Sequence, residues 1–357
     1  MIKVLIVDDS GFMRLAIKKM LENHSSIEIV GDATTGKEAI RIAANTNPDV
    51  ITMDVEMPDM DGLEATREIM KVSPTAIIMV SSVTRTAADV TLEALQVGAV
   101  DYISKSSSFV SLDIAEIETE LIKKIVYWAE NYKKPRKKIS EKEHKPGIAA
   151  RDISLNISPD IVLIGASTGG PRIIPKLFST LDTPQCPIII ALHMPPVYTK
   201  SFADHLCKSS GFNVVEGFNG MNIEKDMVVV LPGGVDSHIV RLDDRKYGVK
   251  VLKDSEHTIH PSVDELFLSA LKATKRLAGV VLSGMGDDGM VGAIEMNKYG
   301  LPVIVQEEES CVVYGMPRAI VEAGVASEEL NVLDISKNIN RWFSSREFNS
   351  TAVNGIV

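Results

Sequence analysis

The sequence predicts two α/β domains, each built on a doubly wound parallel sheet and joined by a linker. Short apolar runs alternate with amphipathic segments in both halves of the chain, which is the pattern of repeated βα units. A basic, proline-containing segment from Lys133 to Lys145 interrupts this alternation. The length of 357 residues also suits two domains, each long enough to bury a core.

The first half contains five candidate strands separated by amphipathic helices. The predicted strands are Ile2–Val7, Ile27–Val30, Val50–Met53, Ala76–Val80 and Tyr102–Ile103. Helical periodicity is clearest over Met13–Glu22 and Gly36–Asn45. Because doubly wound sheets place their chemistry at the carboxyl ends of the strands, the polar residues that follow these runs are the candidate functional residues.

The segment from Lys133 to Lys145 carries seven Lys and Arg residues against two Glu residues. A basic run of this kind can contact nucleic acid or anionic lipid, but a solvated linker is the favoured interpretation. We therefore predict a first domain over 1–125, a linker over 126–157, a second domain over 158–345 and a loose polar tail over 346–357.

The second half returns to the α/β pattern with short, β-branched runs suited to buried strands. The predicted strands are Ile161–Ile164, Ile188–Leu192, Met227–Leu231, Val280–Leu282 and Val303–Val305, and the predicted helices include Arg172–Leu181, Lys200–Ser209 and Val263–Lys275. Ile239–Leu242 and Val249–Leu252 flank a polar turn and predict a β-hairpin.

The composition of the chain argues against several classes of function. The net charge of −10, from 38 basic and 48 acidic residues, argues against nucleic-acid binding, which depends on neutralising phosphates. The three cysteines have neither zinc-site nor disulfide spacing, which fits a reducing cytoplasm. The N-terminus enters a strand pattern without a signal-peptide layout, and the apolar runs are too short to cross a bilayer. We expect a cytoplasmic protein with no membrane insertion.

Acidic residues at the strand ends of the first half predict a site for a divalent cation and a phosphoryl group. Asp8 and Asp9 follow the first strand, and Asp54 follows the third. Three carboxylates brought together make a hard-oxygen site for Mg²⁺, at which Asp54 would attack a phosphoryl group. Lys105 would pair with the phosphoryl oxygens and Ser81 would donate a hydrogen bond to one of them. Taken alone, the Asp8-Asp9 pair is more typical of a solvated turn, and Asp54 of a helix cap.

The string Gly165-Ala166-Ser167-Thr168-Gly169 fits the G-x-S-x-G pattern of a nucleophile elbow. It lies between a predicted strand and a predicted helix, where free N–H groups at the helix start can stabilise an oxyanion. A glycine-rich loop that binds an anion or a nucleotide has the same pattern, so this string alone leaves both alternatives open.

Two further strand ends favour the catalytic alternative. His193 directly follows the run Ile188–Leu192, and Asp288 follows the run Val280–Leu282 after a glycine-rich turn. A serine, a histidine and an aspartate at the ends of buried strands are the arrangement that a catalytic triad requires. Asp287 is most simply a turn residue. His257 and His260 are candidate metal ligands, but without a suitably spaced acidic or cysteine partner they are better interpreted as loop histidines.

Residues 1 to about 125 resemble a response-regulator receiver domain, which has a flavodoxin-like fold. The matching strings are Val7-Asp8-Asp9-Ser10, Met53-Asp54-Val55-Glu56-Met57-Pro58, Met79-Val80-Ser81-Ser82 and Asp101-Tyr102-Ile103-Ser104-Lys105. The resemblance implies Mg²⁺ at Asp8, Asp9 and Asp54, phosphorylation of Asp54 by a histidine kinase, and a switch made of Ser81, Tyr102 and Lys105. Ser106 stands where receivers usually have proline, and we expect a trans bond or a local adjustment of the backbone there.

Residues from about 155 to 345 resemble the Rossmann-like catalytic domain of the chemotaxis protein-glutamate methylesterase family, CheB. The matching strings are the serine loop, His193-Met194-Pro195-Pro196, His260-Pro261-Ser262-Val263-Asp264, Gly284-Met285-Gly286-Asp287-Asp288-Gly289 and Cys311-Val312-Val313-Tyr314-Gly315-Met316-Pro317. The resemblance implies that Ser167 is the nucleophile, His193 the general base and Asp288 the orienting carboxylate. It places the oxyanion contacts at Thr168 and at the backbone of Met285. Leu192 and Ser283 stand where the family more often has Gln and Thr.

The resemblance implies a phosphorylation-activated esterase that releases methanol from glutamate methyl esters of chemoreceptors and also deamidates receptor glutamines. The esterase chemistry needs no cofactor, and we expect a monomer. One alternative is a regulated binding protein that has lost catalysis, and Ser167, His193 and Asp288 argue against it. The other is a transcriptional regulator, for which the second half lacks a helix-turn-helix pattern. The order of the domains predicts that the unphosphorylated receiver limits access to the catalytic cleft.

Overall fold

The computed structural model describes residues 1–105, 114–132, 157–243, 246–254, 257 and 259–353, with only the backbone for 114–116 and 345–353. The chain divides into two compact units, Met1–Arg136 and Lys137–Val357. Each unit is an α/β fold on a parallel sheet, as the alternating pattern predicted. Within the described residues, no helix has the length and hydropathy needed to cross a membrane.

The first unit is a five-stranded parallel sheet with strand order β2-β1-β3-β4-β5. Its elements are β1 (Ile2–Val7), α1 (Gly11–Glu22), β2 (Ile27–Ala33), α2 (Gly36–Thr46), β3 (Val50–Asp54), α3 (Gly62–Val72), β4 (Ala76–Ser82), α4 (Arg85–Val97), β5 (Asp101–Lys105) and α5 (Ile114–Asn131). Every residue of β3, the central strand, is buried. This order places the carboxyl ends of β1, β3, β4 and β5 next to one another.

Side-chain caps fix where the helices begin after these strand ends. Ser10, Thr35, Asp61 and Thr84 each accept a hydrogen bond from the backbone N–H three residues later, at the starts of α1, α2, α3 and α4. Such a cap satisfies one of the N–H groups that a helix start leaves without a partner. The loops that carry the candidate site residues are therefore short and anchored.

The last helix of the first unit extends beyond the boundary predicted at residue 125. Helix α5 continues to Asn131, and its buried residues Leu121, Ile125 and Trp128 recur at spacings of four and three. This spacing places them on one helix face, which packs into the core of the first unit. The unit therefore includes residues that the sequence interpretation assigned to the linker, while residues 133–156 of that linker lie outside the described part of the chain.

The second unit contains a seven-stranded parallel sheet with strand order β15-β14-β13-β6-β7-β10-β8. Its elements are β6 (Ile161–Ala166), α6 (Gly170–Phe178), β7 (Ile188–Leu192), α7 (Tyr198–Ser210), β8 (Asn213–Glu216), β9 (Met221–Ile223), β10 (Met227–Val230), β11 (Ser237–Asp243), β12 (Lys246–Val251), α8 (Val263–Ala273), β13 (Leu277–Val281), α9 (Met290–Lys298), β14 (Val303–Gln306), α10 (Met316–Glu322), β15 (Glu328–Leu330) and α11 (Val332–Val353).

A small antiparallel sheet accompanies the large one. Strands β11 and β12 pair with Ile239 opposite Val249, which confirms the predicted hairpin, although its turn residues 244–245 lie outside the described residues. The third strand, β9, pairs with β12 on the other side. Ile239 and Val249 belong to the same apolar core as α8, so this sheet is packed onto the main domain.

The C-terminal segment differs from the loose tail predicted for 346–357. Helix α11 runs from Val332 to Val353, and only 354–357 lie beyond the described residues. Ile335, Ile339 and Trp342 are almost completely buried at spacings of four and three residues. This apolar face anchors the start of the helix, and the polar residues after Trp342 continue its backbone.

Candidate active site and phosphoacceptor site

The first unit brings Asp8, Asp54, Ser81 and Lys105 to one edge of its sheet. Lys105 Nζ lies 2.7 Å from Asp54 Oδ2 and 2.8 Å from Asp8 Oδ2. Asp8 is fully buried and the Lys105 side chain is only 16% exposed, so these charges interact with little screening by water. The backbone N–H of Val55 donates a hydrogen bond to Asp54 Oδ1 at 2.7 Å.

This edge has more negative charge than Lys105 can balance. Burial, with a smaller contribution from the Asp8 carboxylate, raises the pKa of Asp54 to about 6, although Lys105 and the Val55 N–H act in the opposite direction. Burial lowers the pKa of Lys105, but Asp54 and Asp8 outweigh it and raise that pKa above its ordinary value. A divalent cation fits this imbalance.

The carboxylates also have the spacing of a metal site. One oxygen from each of Asp8, Asp9 and Asp54 lies within 4.8 Å of the others, and among the described residues this is the one group of three or more metal-ligating side chains with such spacing. Asp9 is exposed, and the Arg14 guanidinium donates hydrogen bonds to the carbonyl oxygens of Asp8 and Asp9. Three oxygen ligands held on an anchored turn suit Mg²⁺.

Two of the three predicted switch residues, Ser81 and Tyr102, are buried, whereas Lys105 is half-buried. The Ser81 hydroxyl accepts a hydrogen bond from the Thr91 hydroxyl at 2.8 Å, which ties β4 to α4. Tyr102 lies below Lys124, whose Nζ is 5.4 Å from the ring centroid and 2.7 Å from the Tyr102 carbonyl oxygen. Any movement of Ser81 or Tyr102 would therefore alter packing on α4 or α5.

The second unit brings the predicted triad together at the carboxyl ends of three adjacent strands, β13, β6 and β7. Ser167 follows β6 directly, and its N–H donates to the carbonyl oxygen of Ser283 at 3.0 Å. His193 follows β7, and its N–H donates to the carbonyl oxygen of Ala166 at 3.1 Å. Asp288 arrives from the loop between β13 and α9. The backbone thus fixes the serine and the histidine on neighbouring strand ends.

The His193 ring contacts Asp288 directly, with 2.7 Å between Nε2 and Oδ2. Asp288 also accepts hydrogen bonds from the N–H groups of Val263 and Asp264 and from the Ser262 hydroxyl. Burial raises the pKa of Asp288, but the bond and charge of His193 and the two N–H donors outweigh it and lower that pKa below its ordinary value. An ionised Asp288 only accepts, so His193 Nε2 carries the proton and Nδ1 remains free to take another.

Glycines shape the turn that presents Ser167. Gly169 has a φ of +87° and forms the N-cap of α6, a conformation that residues with a side chain rarely adopt. A Cβ on Gly284 would lie 3.0 Å from the Ser167 Cβ and 2.1 Å from the Met316 Sδ. Ser167 therefore packs directly on the backbone of the next loop, where only glycine fits.

The two predicted oxyanion contacts come from neighbouring loops. Thr168 is buried directly after the serine, whereas Met285 is half-buried in the loop after β13. The residue before Met285, Gly284, donates its N–H to the Val313 carbonyl oxygen at 3.0 Å. Its carbonyl oxygen accepts hydrogen bonds from the N–H groups of Gly315 and Met316. The Met285 loop is therefore held by backbone hydrogen bonds on both sides of Gly284.

The remaining sequence candidates lie around this centre. Asp287 is exposed and contributes its carbonyl oxygen to the turn that starts α9, as expected of a turn residue. Leu192 is fully buried at the end of β7, and its Cδ1 fills the space where a Cβ of Gly170 would lie, 2.6 Å away. Leucine at this position thus packs against the start of α6.

The two loop histidines have acidic partners that sequence spacing did not reveal. His257 Nε2 lies 3.3 Å from the Glu265 carboxylate, which also accepts from His238, and His260 Nδ1 lies 3.2 Å from Asp236. Asp236 is far from His260 in the sequence, so only the tertiary fold shows that pair. These contacts connect the loop before α8 to the first turn of α8 and to the start of β11.

Two residues near the triad were not among the predicted site residues, although Ser283 was noted as a departure from the family pattern. Asp264 Oδ1 accepts the N–H of Gly292 at 2.7 Å, and Ser283 bonds to both sides of the serine loop. The Ser262-x-x-Glu265 pattern is a capping-box signature that predicts the start of α8, and Ser262 indeed accepts the N–H of Glu265. No local signal indicates the partners of Ser283, which lie in distant segments.

A receiver sheet followed by an α/β domain with a serine, histidine and aspartate at its strand ends defines a response regulator with a hydrolase-type output domain. The family model described as response regulator receiver domain matches residues 4–115, and the one described as CheB methylesterase matches residues 162–339. The chain belongs to the CheB methylesterase family.

Relatives match nearly the whole chain. The protein-glutamate methylesterase/protein-glutamine glutaminase 2 of Carboxydothermus hydrogenoformans is 40% identical over 355 residues, covering 95% of this chain and 98% of the relative. The enzyme of the same name from Bacillus subtilis, without the number, is 37% identical over 355 residues, with the same coverage. The crystal structure of the Thermotoga maritima CheB methylesterase catalytic domain is 33% identical, covers 52% of this chain and 98% of its own, and has a TM-score of 0.49.

Proposed function

We propose that this protein hydrolyses the methyl esters of glutamyl side chains in chemoreceptors, releasing methanol, and deamidates receptor glutamines, under control of its receiver domain in the cytoplasm. The His193–Asp288 hydrogen bond of 2.7 Å, at strand ends next to Ser167, is the observation that carries the esterase assignment. The names of the relatives, which cover both units, support the substrate class and the second activity.

In the first half-reaction, His193 Nδ1 takes the hydroxyl proton of Ser167 as Oγ attacks the ester carbonyl carbon. Negative charge develops on the carbonyl oxygen, where the N–H groups of Thr168 and Met285 would stabilise it. The C–O bond to the methoxy group breaks, methoxide takes the proton from His193, and methanol leaves. Ser167 is then an ester of the glutamyl carboxyl group.

The second half-reaction repeats these roles with water as the nucleophile. His193 removes a proton from water, hydroxide adds to the acyl carbonyl, and Ser167 leaves with the proton returned from His193. The glutamate carboxylate is the product. A glutamine amide follows the same route, except that His193 protonates the departing amide nitrogen as the C–N bond breaks, so that ammonia leaves instead of methanol. Asp288 keeps one ring orientation and stabilises the imidazolium through both half-reactions.

In the receiver, Asp54 would accept a phosphoryl group from a histidine kinase. Bound Mg²⁺ would be held by Asp8, Asp9 and Asp54 and would neutralise charge between the carboxylates and the phosphoryl oxygens. Lys105 already lies 2.7 Å from Asp54, so its ammonium is placed to pair with a phosphoryl oxygen there. Ser81 would exchange its Thr91 contact for a hydrogen bond to that group, and this movement would change packing on α4.

The proposal is tested by measuring methanol release from membranes that carry methylated chemoreceptors. Ser167→Ala removes the nucleophile and should lower turnover on the order of a thousandfold or more, since the members of a triad act as one unit. An unchanged thermal unfolding profile would show that the variant is folded. Near-normal methanol release by Ser167→Ala would refute the assignment of the nucleophile, and no release by the unmodified protein would refute the activity.

A further inference from the structure

The loops that carry the two oxyanion contacts are held together by one buried residue, Ser283. Its carbonyl oxygen accepts the N–H of Ser167 at 3.0 Å, and its hydroxyl donates to the carbonyl oxygen of Thr168 at 2.7 Å. Ser283 therefore bonds to the two residues that supply the nucleophile and one oxyanion donor. It also lies two residues before Met285, which supplies the other donor.

The same hydroxyl connects a third loop. Ser283 Oγ accepts the N–H of Val313 at 2.9 Å, in the segment between β14 and α10. The Ser283 N–H donates to Gln306 Oε1 at 2.9 Å, and Gln306 is itself fully buried. The backbone N–H and carbonyl groups of Ser283 and its hydroxyl are thus all hydrogen-bonded, and together they reach the serine loop, Gln306 at the end of β14 and the Val313 segment.

Packing leaves Ser283 little freedom to move. The residue is completely buried, and a Cβ on Gly169 would lie 2.8 Å from Ser283 Oγ and 2.5 Å from the Val312 Cβ. Loss of the hydroxyl would leave the Val313 N–H without its partner inside the protein, and the loops would shift to find new ones. A small shift is sufficient to harm catalysis, because oxyanion stabilisation depends on the placement of its donors.

We propose that the Ser283 hydroxyl is a positioning group that sets the spacing between the Thr168 and Met285 oxyanion donors. The proposal builds on the triad and oxyanion assignments above. It predicts a selective effect on the transition state, in which the carbonyl oxygen is charged, and little effect on binding of the neutral ester. The hydroxyl is the essential feature, so threonine should replace serine and residues without a hydroxyl should not.

The experiment uses the full chain. It compares Ser283→Thr with Ser283→Val, because threonine and valine have nearly the same shape and differ in the hydroxyl. Ser283→Ala is measured as a third variant. Ser269→Ala is the matched control, because buried Ser269 also accepts a backbone N–H, from Ile239, and donates to a backbone carbonyl, of Leu266, away from the site. Steady-state methanol release gives kcat and KM, and labelling of Ser167 with a fluorophosphonate gives the concentration of active sites.

We expect kcat per active site to fall about tenfold or more in Ser283→Ala and Ser283→Val, with KM nearly unchanged. Ser283→Thr should retain most of the kcat, and Ser269→Ala should lower thermal stability but keep kcat. Equal kcat in the Thr and Val variants, or equal losses in Ser283→Ala and Ser269→Ala, would overturn the proposal.

If the Ala and Val variants do not fold, Ser283→Cys replaces them, because a thiol is only a weak hydrogen-bond donor. Its kcat should be clearly below that of Ser283→Thr, and equal kcat values would overturn the proposal. Lack of Ser167-dependent release by the unmodified protein would instead overturn the proposed function.

Discussion

At the scale of single residues, two adjacent aspartates have opposite environments. Asp288 accepts hydrogen bonds from His193, the Ser262 hydroxyl and two backbone N–H groups, whereas Asp287 is exposed and uses only its carbonyl oxygen in a turn. We predict that Asp288→Asn lowers kcat on the order of a thousandfold or more, because an amide no longer fixes the proton on His193 Nε2.

Asp287→Asn provides the matched control for this prediction. The substitution makes the same chemical change one residue away, on a side chain that faces solvent, so kcat should stay close to that of the unmodified protein. Methanol release by the two variants, at equal concentrations of folded protein, is the measurement. Comparable losses in both variants, or a larger loss in Asp287→Asn, would show that the wrong carboxylate has been assigned to the triad.

At the scale of elements, helices α8 and α9 stabilise each other's starts. Asp288, just before α9, accepts the N–H groups of Val263 and Asp264 in the first turn of α8. Asp264 in turn accepts the N–H of Gly292 in the first turn of α9. Each carboxylate also lies near the positive end of the other helix's dipole. The triad carboxylate is therefore part of the joint between two helices, which explains how a loop residue is held firmly enough to orient His193.

The buried position of Asp264 in this joint shifts the pKa of its carboxyl group. Burial, with a smaller contribution from the charge of Asp288, raises the pKa of Asp264 from 3.8 to about 6, although the N–H groups of Gly292 and Gly289 act in the opposite direction. A raised carboxyl pKa means that folding favours the protonated form. The contribution of Asp264 to stability is therefore largest near pH 4 and is lost as the pH rises through about 6.

We predict that Asp264→Asn, which cannot ionise, changes the unfolding temperature in a pH-dependent way. The difference between variant and unmodified protein should shift in favour of the variant by about 3 °C or more between pH 4 and pH 7.5. Thermal unfolding of the second unit within the full chain, followed by circular dichroism at both pH values, measures it. A difference that stays constant, or that moves against the variant as the pH rises, would contradict the assigned pKa direction.

A comparison of the predicted with the observed strands and helices shows which elements the sequence pattern identifies. Every strand of the first sheet and the buried strands of the second were predicted, because a buried parallel strand is a continuous β-branched run. Strands β8 and β15 were not predicted. They are the two edge strands of the second sheet, only four and three residues long and partly exposed. Such short strands do not contain a recognisable run of apolar residues. The loose tail was predicted to begin at residue 346 because polar residues follow Trp342, whereas helix α11 continues across this boundary to Val353.

At the scale of the whole molecule, the sequence predicted those site residues whose positions follow directly from the order of the strands. The strand-end rule gave Asp54, Ser167 and His193, because parallel strands bring their carboxyl ends to one edge. The residues that support those sites were not predictable in the same way. Ser283 reaches Val313 and Asp264 reaches Gly292 across 30 and 28 positions of sequence. Neither pair has a local pattern, so these roles follow only from the tertiary structure.

The domain order predicts that phosphorylation controls the esterase. Phosphorylating Asp54 adds negative charge and strong hydrogen-bond acceptors beside Lys105, at a position where Ser81 and Tyr102 connect the strand ends to α4 and α5. If the unphosphorylated receiver limits access to the catalytic cleft, this change biases a two-state equilibrium towards the active form. A differential stabilisation of a few kcal/mol is sufficient for a large population shift.

We therefore predict that a small-molecule phosphodonor with Mg²⁺ raises methanol release by the full chain but not by Asp54→Ala. A chain that begins near Asp152 lacks the receiver and should be more active than the unphosphorylated full chain, while remaining insensitive to the phosphodonor. Initial rates on methylated receptor membranes, at equal concentrations of labelled Ser167, separate these outcomes. A shortened chain no faster than the unphosphorylated full chain would exclude inhibition by the receiver. Activation of the full chain under the same conditions would then mean that phosphorylation promotes catalysis or receptor docking directly.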